Sequence, residues 1–507
     1  MSSPADLPAR PESPAVPSRG CWLLAMALLA AAGIAAIFSR FHGFIDLDVY
    51  RLGVRQWLGG GDMYGTLPAT QDGARLPFIY PPFAAIALSP LALIPWGLAK
   101  VLNFSLAIAA LGVSIYLCIR RLYPAAEQWT VLVVSGPVLP LALWLEPVRE
   151  TIGFGQINLI LMMLVAADCL AEQPRWPRGL LIGVAAAIKL TPAVFVLYFL
   201  IRRDYRSTVV AIASGALATA TGFAVLPRES MRYWFGGFAG AAGISGSPYA
   251  NNQTVTAALA RLRVPQPLES WSWALLAAVV LVAAVVGIRR AFRSSNPVLA
   301  MVITGAAGLL LSPTSWSHHW VWVVPALLAM VVESTRTRSV GWIVASVLTT
   351  STFYLGVHNF LPKGDGRELA WSPGEHFLGD SYVLVTLVLL IVWGSAKSSG
   401  NKPATAGRYP VRAVRRAFSL PIVGKTPFFP GVYSLAGPPT IADPVLYAIL
   451  GRKGACAQKQ RQPRYTLGET FGEVPPDWRT ADSGPRRGPG SGHRDSGNVC
   501  RPRRPGP

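Results

Sequence analysis

Charge is scarce in this chain. Asp, Glu, Lys and Arg make up 14% of its 507 residues, against about 25% in an average globular domain. With 52% hydrophobic residues and a mean hydropathy of +0.39, that shortage excludes a disordered chain and a soluble enzyme built of three or so domains. Cysteine is scarce too. Cys21, Cys118, Cys169, Cys456 and Cys500 show no paired spacing, so neither a disulfide framework nor a thiolate metal site is indicated. Acidic residues are few, 25 against 46 basic, for a net charge of +21. That excess does not mark a nucleic-acid surface, because residues 401–507 alone hold 18 Lys/Arg against 6 Asp/Glu. No internal repeat is visible, and no His/Cys/carboxylate set has metal-ligand spacing.

What the chain has in abundance is apolar runs. The first extends from Cys21 to Phe38, long enough to span. Others lie near 77–95, 97–119, 130–145, 152–170, 179–200, 207–226, 270–288, 296–312, 319–333, 339–357 and 380–394. They predict an all-α polytopic membrane protein with about 11–13 transmembrane segments. Basic clusters punctuate the runs at Arg120-Arg121, Arg175/Arg178, Arg202-Arg203, Arg289-Arg290 and Arg336/Arg338. Placing these inside puts the longer loops 40–76, 227–269 and 358–379 outside. Within 77–119, one of the two runs is expected to be interfacial or re-entrant. Residues 179–200 carry Lys189 and Thr191-Pro192 mid-run with basic residues at both flanks. A broken hairpin with Lys189 at its apex and a single Pro-kinked span both fit. Three regions follow: a disordered cytoplasmic N-terminus over 1–20, a transmembrane domain over 21–395 and a disordered basic cytoplasmic tail over 396–507.

Ionisable groups at membrane segments are expensive and therefore functional candidates. Four clusters qualify: Asp46-Leu47-Asp48 with Tyr50-Arg51; Glu146-Pro147-Val148-Arg149-Glu150 running into Gln156 and Asn158; Lys189-Leu190-Thr191-Pro192; and Ser315-Trp316-Ser317-His318-His319-Trp320. Their chemistry is complementary. Carboxylates take a proton from a hydroxyl, Arg149 and Lys189 suit a phosphate, and Gln, Asn, His and Trp suit a sugar. Together they suggest an outer-leaflet site for a lipid bearing phosphate and sugar. Bland readings stand beside these: solvated loop carboxylates at Asp46 and Asp48, an i,i+3 pair between Glu146 and Arg149, and interfacial belt residues at His318-His319.

Six motifs in order carry a resemblance: Asp46-Leu47-Asp48-Val49-Tyr50-Arg51, Phe78-Ile79-Tyr80-Pro81-Pro82, the 146–159 stretch, Ala187-Ile188-Lys189-Leu190-Thr191-Pro192, Asn252-Gln253-Thr254 and the 315–320 stretch. Over about residues 20–395 the chain resembles the actinobacterial polyprenol-phosphate-mannose-dependent α-(1→2)-mannosyltransferases of glycosyltransferase family 87. The resemblance implies the GT-C architecture, with the active site formed by outer loops at the exterior face of the plasma membrane. It implies inverting transfer of mannose, β-linked in a polyprenyl-phosphate donor, to a mannosylated lipid such as phosphatidylinositol mannoside, lipomannan or lipoarabinomannan. It further implies Asp46 as general base with Asp48 as second candidate, and Arg149 and Lys189 at the donor phosphate. Glu146, Gln156, Asn158, Asn252, Gln253, His318 and His319 are implied as sugar or acceptor contacts. Tyr80-Pro81-Pro82 reads as a structural turn. No cofactor or metal is required, since Arg and Lys can meet the leaving charge. The rivals are an enzyme moving another polyprenyl-linked sugar such as arabinofuranose, and a transporter or flippase. Asp46-x-Asp48 also spells a sugar-nucleotide motif, but outside the membrane nucleotide sugars are absent.

Overall fold

A computed structural model describes residues 43–236 and 246–395. The expected N-terminal segment, the first apolar run and the basic tail lie outside the described residues. Helix α1 (Ile45–Leu58) carries Asp46 and Asp48 in its first turn and Arg55 in its last, each complementing the helix dipole. After an irregular stretch, α2 (Pro82–Leu93) starts on Pro82, whose missing N–H costs nothing at a first-turn position. Helix α3 (Trp96–Leu122) follows, at 27 residues about 40 Å long. Next come α4 (Gln128–Ala142) and α5 (Glu146–Phe154), bent by 76° where they join, then α6 (Asn158–Leu170), α7 (Leu180–Ile188) and α8 (Val196–Arg202). The chain continues through α9 (Tyr205–Val225), α10 (Pro227–Phe235), α11 (Val255–Arg261), α12 (Leu268–Arg293) and α13 (Pro297–Leu311). It closes with α14 (Val323–Thr337), α15 (Val340–Leu355), α16 (Pro373–Gly379) and α17 (Ser381–Ser395).

Among the described residues four helices are long and apolar enough to cross a membrane: α3, α9, α12 and the stretch Val340–Phe360. The α4–α5 and α16–α17 pairs raise this to six if each bent pair counts as one span. The other apolar runs form shorter helices, α2, α6, Thr191–Arg202 and α13 among them. The sequence leads one to expect about 11–13 segments, with one run of the 77–119 pair interfacial or re-entrant and 179–200 either a broken hairpin or a kinked span. Among the described residues several further runs also form helices shorter than a span. Large apolar side chains stand exposed along the long helices, such as Val101, Trp271, Leu275 and Val347. A surface of that kind is stable only against lipid. The protein is an all-α, multi-pass membrane protein. Helix α2 is the short partner of the 77–119 pair; Arg51 of α1 donates to the carbonyls of Leu91 and Ile94 at its end.

The 179–202 region resolves into the broken hairpin. The Ile182 amide donates to Asp168 at the C-terminal end of α6 (2.8 Å), and Tyr198 on the returning leg donates to the neighbouring Cys169 carbonyl (3.2 Å). Between them Lys189, in extended conformation, reaches Asn158 at the opposite end of α6. The two legs therefore run in opposite senses beside α6, with Lys189 at the apex. Basic residues collect at the leg ends. Arg121, Arg178 and Arg202 surround Tyr198, and Arg121 meets Glu172 (3.4 Å).

Two hydrophobic cores meet on α6. Leu159 and Met162 belong to the larger, built from the long helices, while Ile157 and Leu161 belong to a smaller one with α1, α2 and the 63–80 stretch. Asn158 lies between them, at the seam. Two loop regions are tied together nearby by fully buried Arg261. It donates to Asp380 (Nε, 2.9 Å) and to the carbonyls of Tyr249 and Asn252 (3.1 and 3.0 Å), so that burial leaves the charge paired and hydrogen-bonded.

Candidate active site

The first turn of α1 places Asp46 half-buried at this seam, where its carboxylate accepts from the Gln156 side chain and feels the Lys189 ammonium. Burial raises the Asp46 pKa to about 6, and the Gln156 hydrogen bond and the Lys189 charge hold it from rising further. Lys189 Nζ donates to Asn158 Oδ1 (2.9 Å), lies 3.2 Å from His319 Nε2 and sits 5.5 Å from the Tyr80 ring centroid. A carboxylate that titrates near neutrality beside a fixed cation can take a proton from a hydroxyl and hold negative charge nearby.

Gln156 reaches this point because the chain turns sharply before α6. Gly155, at φ 71°, occupies the left-handed region, and a Cβ there would come within 2.8 Å of both Leu47 and Phe44. The glycine lets α1 lie against the α5–α6 turn and so brings Asp46 to Gln156. Gly155→Ala should therefore lower thermal stability by about 1–3 kcal/mol and reduce activity even in the folded fraction; a melt of the detergent-solubilised protein beside a turnover assay checks both.

Of the candidates named from sequence, Asp46, Gln156, Asn158, Lys189 and His319 converge here. His318 lies one step away. Its ring packs edge-on to Phe154 and His319 (5.0 and 4.7 Å), and its carbonyl accepts from Thr151 and Asn158 (2.6 and 3.0 Å). Asp48 faces elsewhere. The Asp-x-Asp stretch is helical, so the two carboxylates point about 200° apart, and buried Asp48 accepts from the Gln71 amide (2.8 Å), anchoring that loop.

The structure does not bring Arg149 or Glu146 into the Asp46–Lys189 group. Arg149 donates to the Trp144 carbonyl across the α4–α5 bend (2.7 Å). Glu146 is buried and accepts from Ser317 (2.7 Å), Tyr382 (2.8 Å) and Asn359 (3.1 Å), with His358 3.5 Å away. The i,i+3 pairing imagined for these two is replaced by those bonds. Asn252 and Gln253 are fully buried and likewise engaged. Asn252 bridges Ser247 and Ser315, and Gln253 donates to the carbonyls of Ala250 and Gly379.

Two tyrosines join the site that sequence reasoning passed over. The Tyr50 hydroxyl donates to Gln156 Oε1 (2.6 Å), and Gln156 Nε2 donates to the Tyr80 hydroxyl (3.0 Å). The Asp46/Tyr50 spacing of i,i+4, which shares one helix face, was the available signal. Beyond the apex, an apolar cavity of about 350 Å³ runs along the returning leg from Leu190 and Thr191 to Ile201, walled by α12 and α13. Thr191, Val194 and Gly308 line both this cavity and a smaller one bounded by Asn158 and His319.

Fold and site together define a polytopic membrane protein with a candidate acid–base site at a helix break. The family model for glycosyltransferase family 87 matches residues 78–313. A polyprenol-phosphate-mannose-dependent alpha-(1-2)-phosphatidylinositol mannoside mannosyltransferase of Mycobacterium tuberculosis is 35% identical, over 77% of this chain and 95% of its own. Its namesake from Mycolicibacterium smegmatis is 38% identical over 73% and 89%. An alpha-(1->3)-arabinofuranosyltransferase of M. tuberculosis is 28% identical over 39% of this chain and 47% of its own. The crystal structure of ArnT from Cupriavidus metallidurans bound to undecaprenyl phosphate aligns with a TM-score of 0.35 and 16% identity, covering 74% and 78% of the two chains. This chain belongs to glycosyltransferase family 87 and is a membrane glycosyltransferase.

Proposed function

We propose that the chain transfers mannose from a polyprenyl-phosphate donor to a mannosylated phosphatidylinositol, forming an α-(1→2) linkage at the outer face of the membrane. The meeting of Asp46 and Lys189 beside the mouth of an apolar groove carries this reading. Asp46 removes the proton of the acceptor hydroxyl as that oxygen attacks the anomeric carbon. The bond from that carbon to the phosphate oxygen breaks, and Lys189 stabilises the charge that gathers on the leaving phosphate. The polyprenyl chain lies in the groove beyond Leu190, placing its phosphate at the apex lysine. The basic leg ends face the cytoplasm, which leaves Asp46 on the exterior side. Close identity over nearly the whole length of the mannosyltransferases, against partial coverage by the arabinofuranosyltransferase, favours mannose.

The test is transfer by the full chain in lipid nanodiscs, offered radiolabelled polyprenyl-phosphate mannose or its arabinofuranosyl counterpart with a phosphatidylinositol mannoside acceptor. Label should move from the mannose donor. Movement from the arabinofuranosyl donor alone would transfer the assignment to that sugar, and lipid translocation without glycoside formation would make the protein a flippase. Val285→Trp, which intrudes on the groove, should raise KM for a long-chain donor several-fold while leaving a short-chain analogue unaffected.

A further inference from the structure

We infer that Tyr50, Gln156 and Tyr80 form a closed, one-directional hydrogen-bond ring that makes Gln156 the positioning residue for Asp46. The inference rests on Asp46 being the base. The ring follows from counting protons. Each hydroxyl has one to give. Tyr50 spends its proton on Gln156 Oε1, at 2.6 Å. The Tyr50–Tyr80 contact, 3.2 Å between hydroxyl oxygens, must then be a donation from Tyr80 to Tyr50. Gln156 Nε2 completes the circuit by donating to Tyr80, at 3.0 Å.

Two consequences follow for Asp46. The amide cannot rotate its oxygen toward the carboxylate, because that oxygen is held by Tyr50, which shares a helix face with Asp46 at i,i+4, so the amide's second N–H is the one that faces Asp46. Neither tyrosine retains a proton for Asp46, so neither competes with an incoming hydroxyl for the carboxylate's other lone pairs. Rings of this kind polarise each member in turn. All three ring members are buried, and burial pushes both tyrosine hydroxyls up, keeping them protonated donors. Among the described residues the charged group facing Asp46 is Lys189 from the hairpin apex, backed by His319. The ring thus fixes the geometry and the titration of a base that none of the tyrosine oxygens needs to touch.

The test is the acid limb of the pH–kcat profile, measured with saturating donor on the full chain in nanodiscs. In Tyr50→Phe the amide loses the bond that orients it, its N–H is no longer held toward Asp46, and the limb should move up by about one pH unit. The plateau at high pH should largely recover. Gln156→Leu removes the donor outright and should move the limb at least as far, which keeps the test open if Tyr50→Phe fails to fold. A limb that stays at the wild-type pH in a folded variant, whatever the fall in kcat, would reduce the ring to packing and overturn the inference. Asp46→Asn separates the two levels: substantial turnover there removes the base itself, whereas an inactive Asp46→Asn with unmoved limbs in the ring variants removes only the ring.

Discussion

Asp46→Asn should abolish transfer, with a loss of about 10²–10⁴-fold, while donor binding and folding persist. The two side chains are nearly isosteric, and the substitution removes only the capacity to take a proton. Folding should not suffer. The native pKa, raised to about 6 by burial, lies above that of the unfolded carboxylate. The native state thus binds the proton more tightly, and the Asp46 contribution to stability falls as pH rises through that window. At pH 7.5 a neutral amide removes that penalty, so the variant should melt no lower than wild type. Asp48→Asn should cost far less turnover and more order in the loop at Gln71, since its partner is that backbone amide. Parallel transfer assays, donor-binding titrations and melts of the two variants give the comparison. Reversed ranking would move the base to Asp48.

Lys189→Met should lower kcat/KM by about 10²–10³-fold, the usual effect of removing one preorganised donor from developing charge. Its length and apolar stem are kept, so the loss isolates the ammonium. Two effects should appear together. The donor loses its phosphate partner, which KM reports. Asp46 loses the cation that holds its pKa down, so the acid limb of the pH profile should rise as well. Lys189→Arg should rescue only part, because a planar fork cannot reproduce a point charge seated between Asn158, His319 and the Tyr80 ring. A Lys189→Met protein with wild-type donor kinetics would show the residue to be a buried helix-break cap instead.

The site was legible in the sequence where chemistry and cost coincide. Asp46, Lys189 and His319 are ionisable groups at membrane segments, and such groups persist for a reason. Gln156 and Asn158 stood beside them at a helix start. The broken hairpin was half legible: basic flanks on both sides of an apolar run suit an apex at Lys189, but a Pro-kinked span fits the same letters, and only the contacts of Ile182 and Tyr198 with the far end of α6 decide between them. The tyrosines were not legible. Tyr50 and Tyr80 find Gln156 across 106 and 76 residues, and Tyr80 sits before two prolines that explain its turn equally well.

Glu146, Asn252 and Gln253 lie apart from the Asp46–Lys189 group, and the sequence could not show this. A buried amide whose N–H groups are taken by carbonyls and one held ready for a sugar have the same letters in the sequence. Only the partners distinguish them: for Gln253, the carbonyls of Ala250 and Gly379. Asp48, the second candidate, is set apart from Asp46 by conformation. In an extended loop, Asp-x-Asp would place both carboxylates on one face; as the first turn of α1 it aims one at the site and the other at Gln71. The pairing that remains, one carboxylate with one cation, suits a single displacement rather than a two-step route through a glycosyl-enzyme, which needs a second carboxylate close to the first.

That conclusion can be read from the product. In the proposed reaction mannose enters β-linked on the polyprenyl phosphate, and one displacement would deliver it α-linked. The decisive measurement is the anomeric configuration and linkage of the newly added residue, by NMR of the glycolipid made by the wild-type chain in nanodiscs from ¹³C-labelled polyprenyl-phosphate mannose. An α-(1→2) residue is the expected result; a β-linked residue, with configuration retained, would contradict a single displacement driven by Asp46.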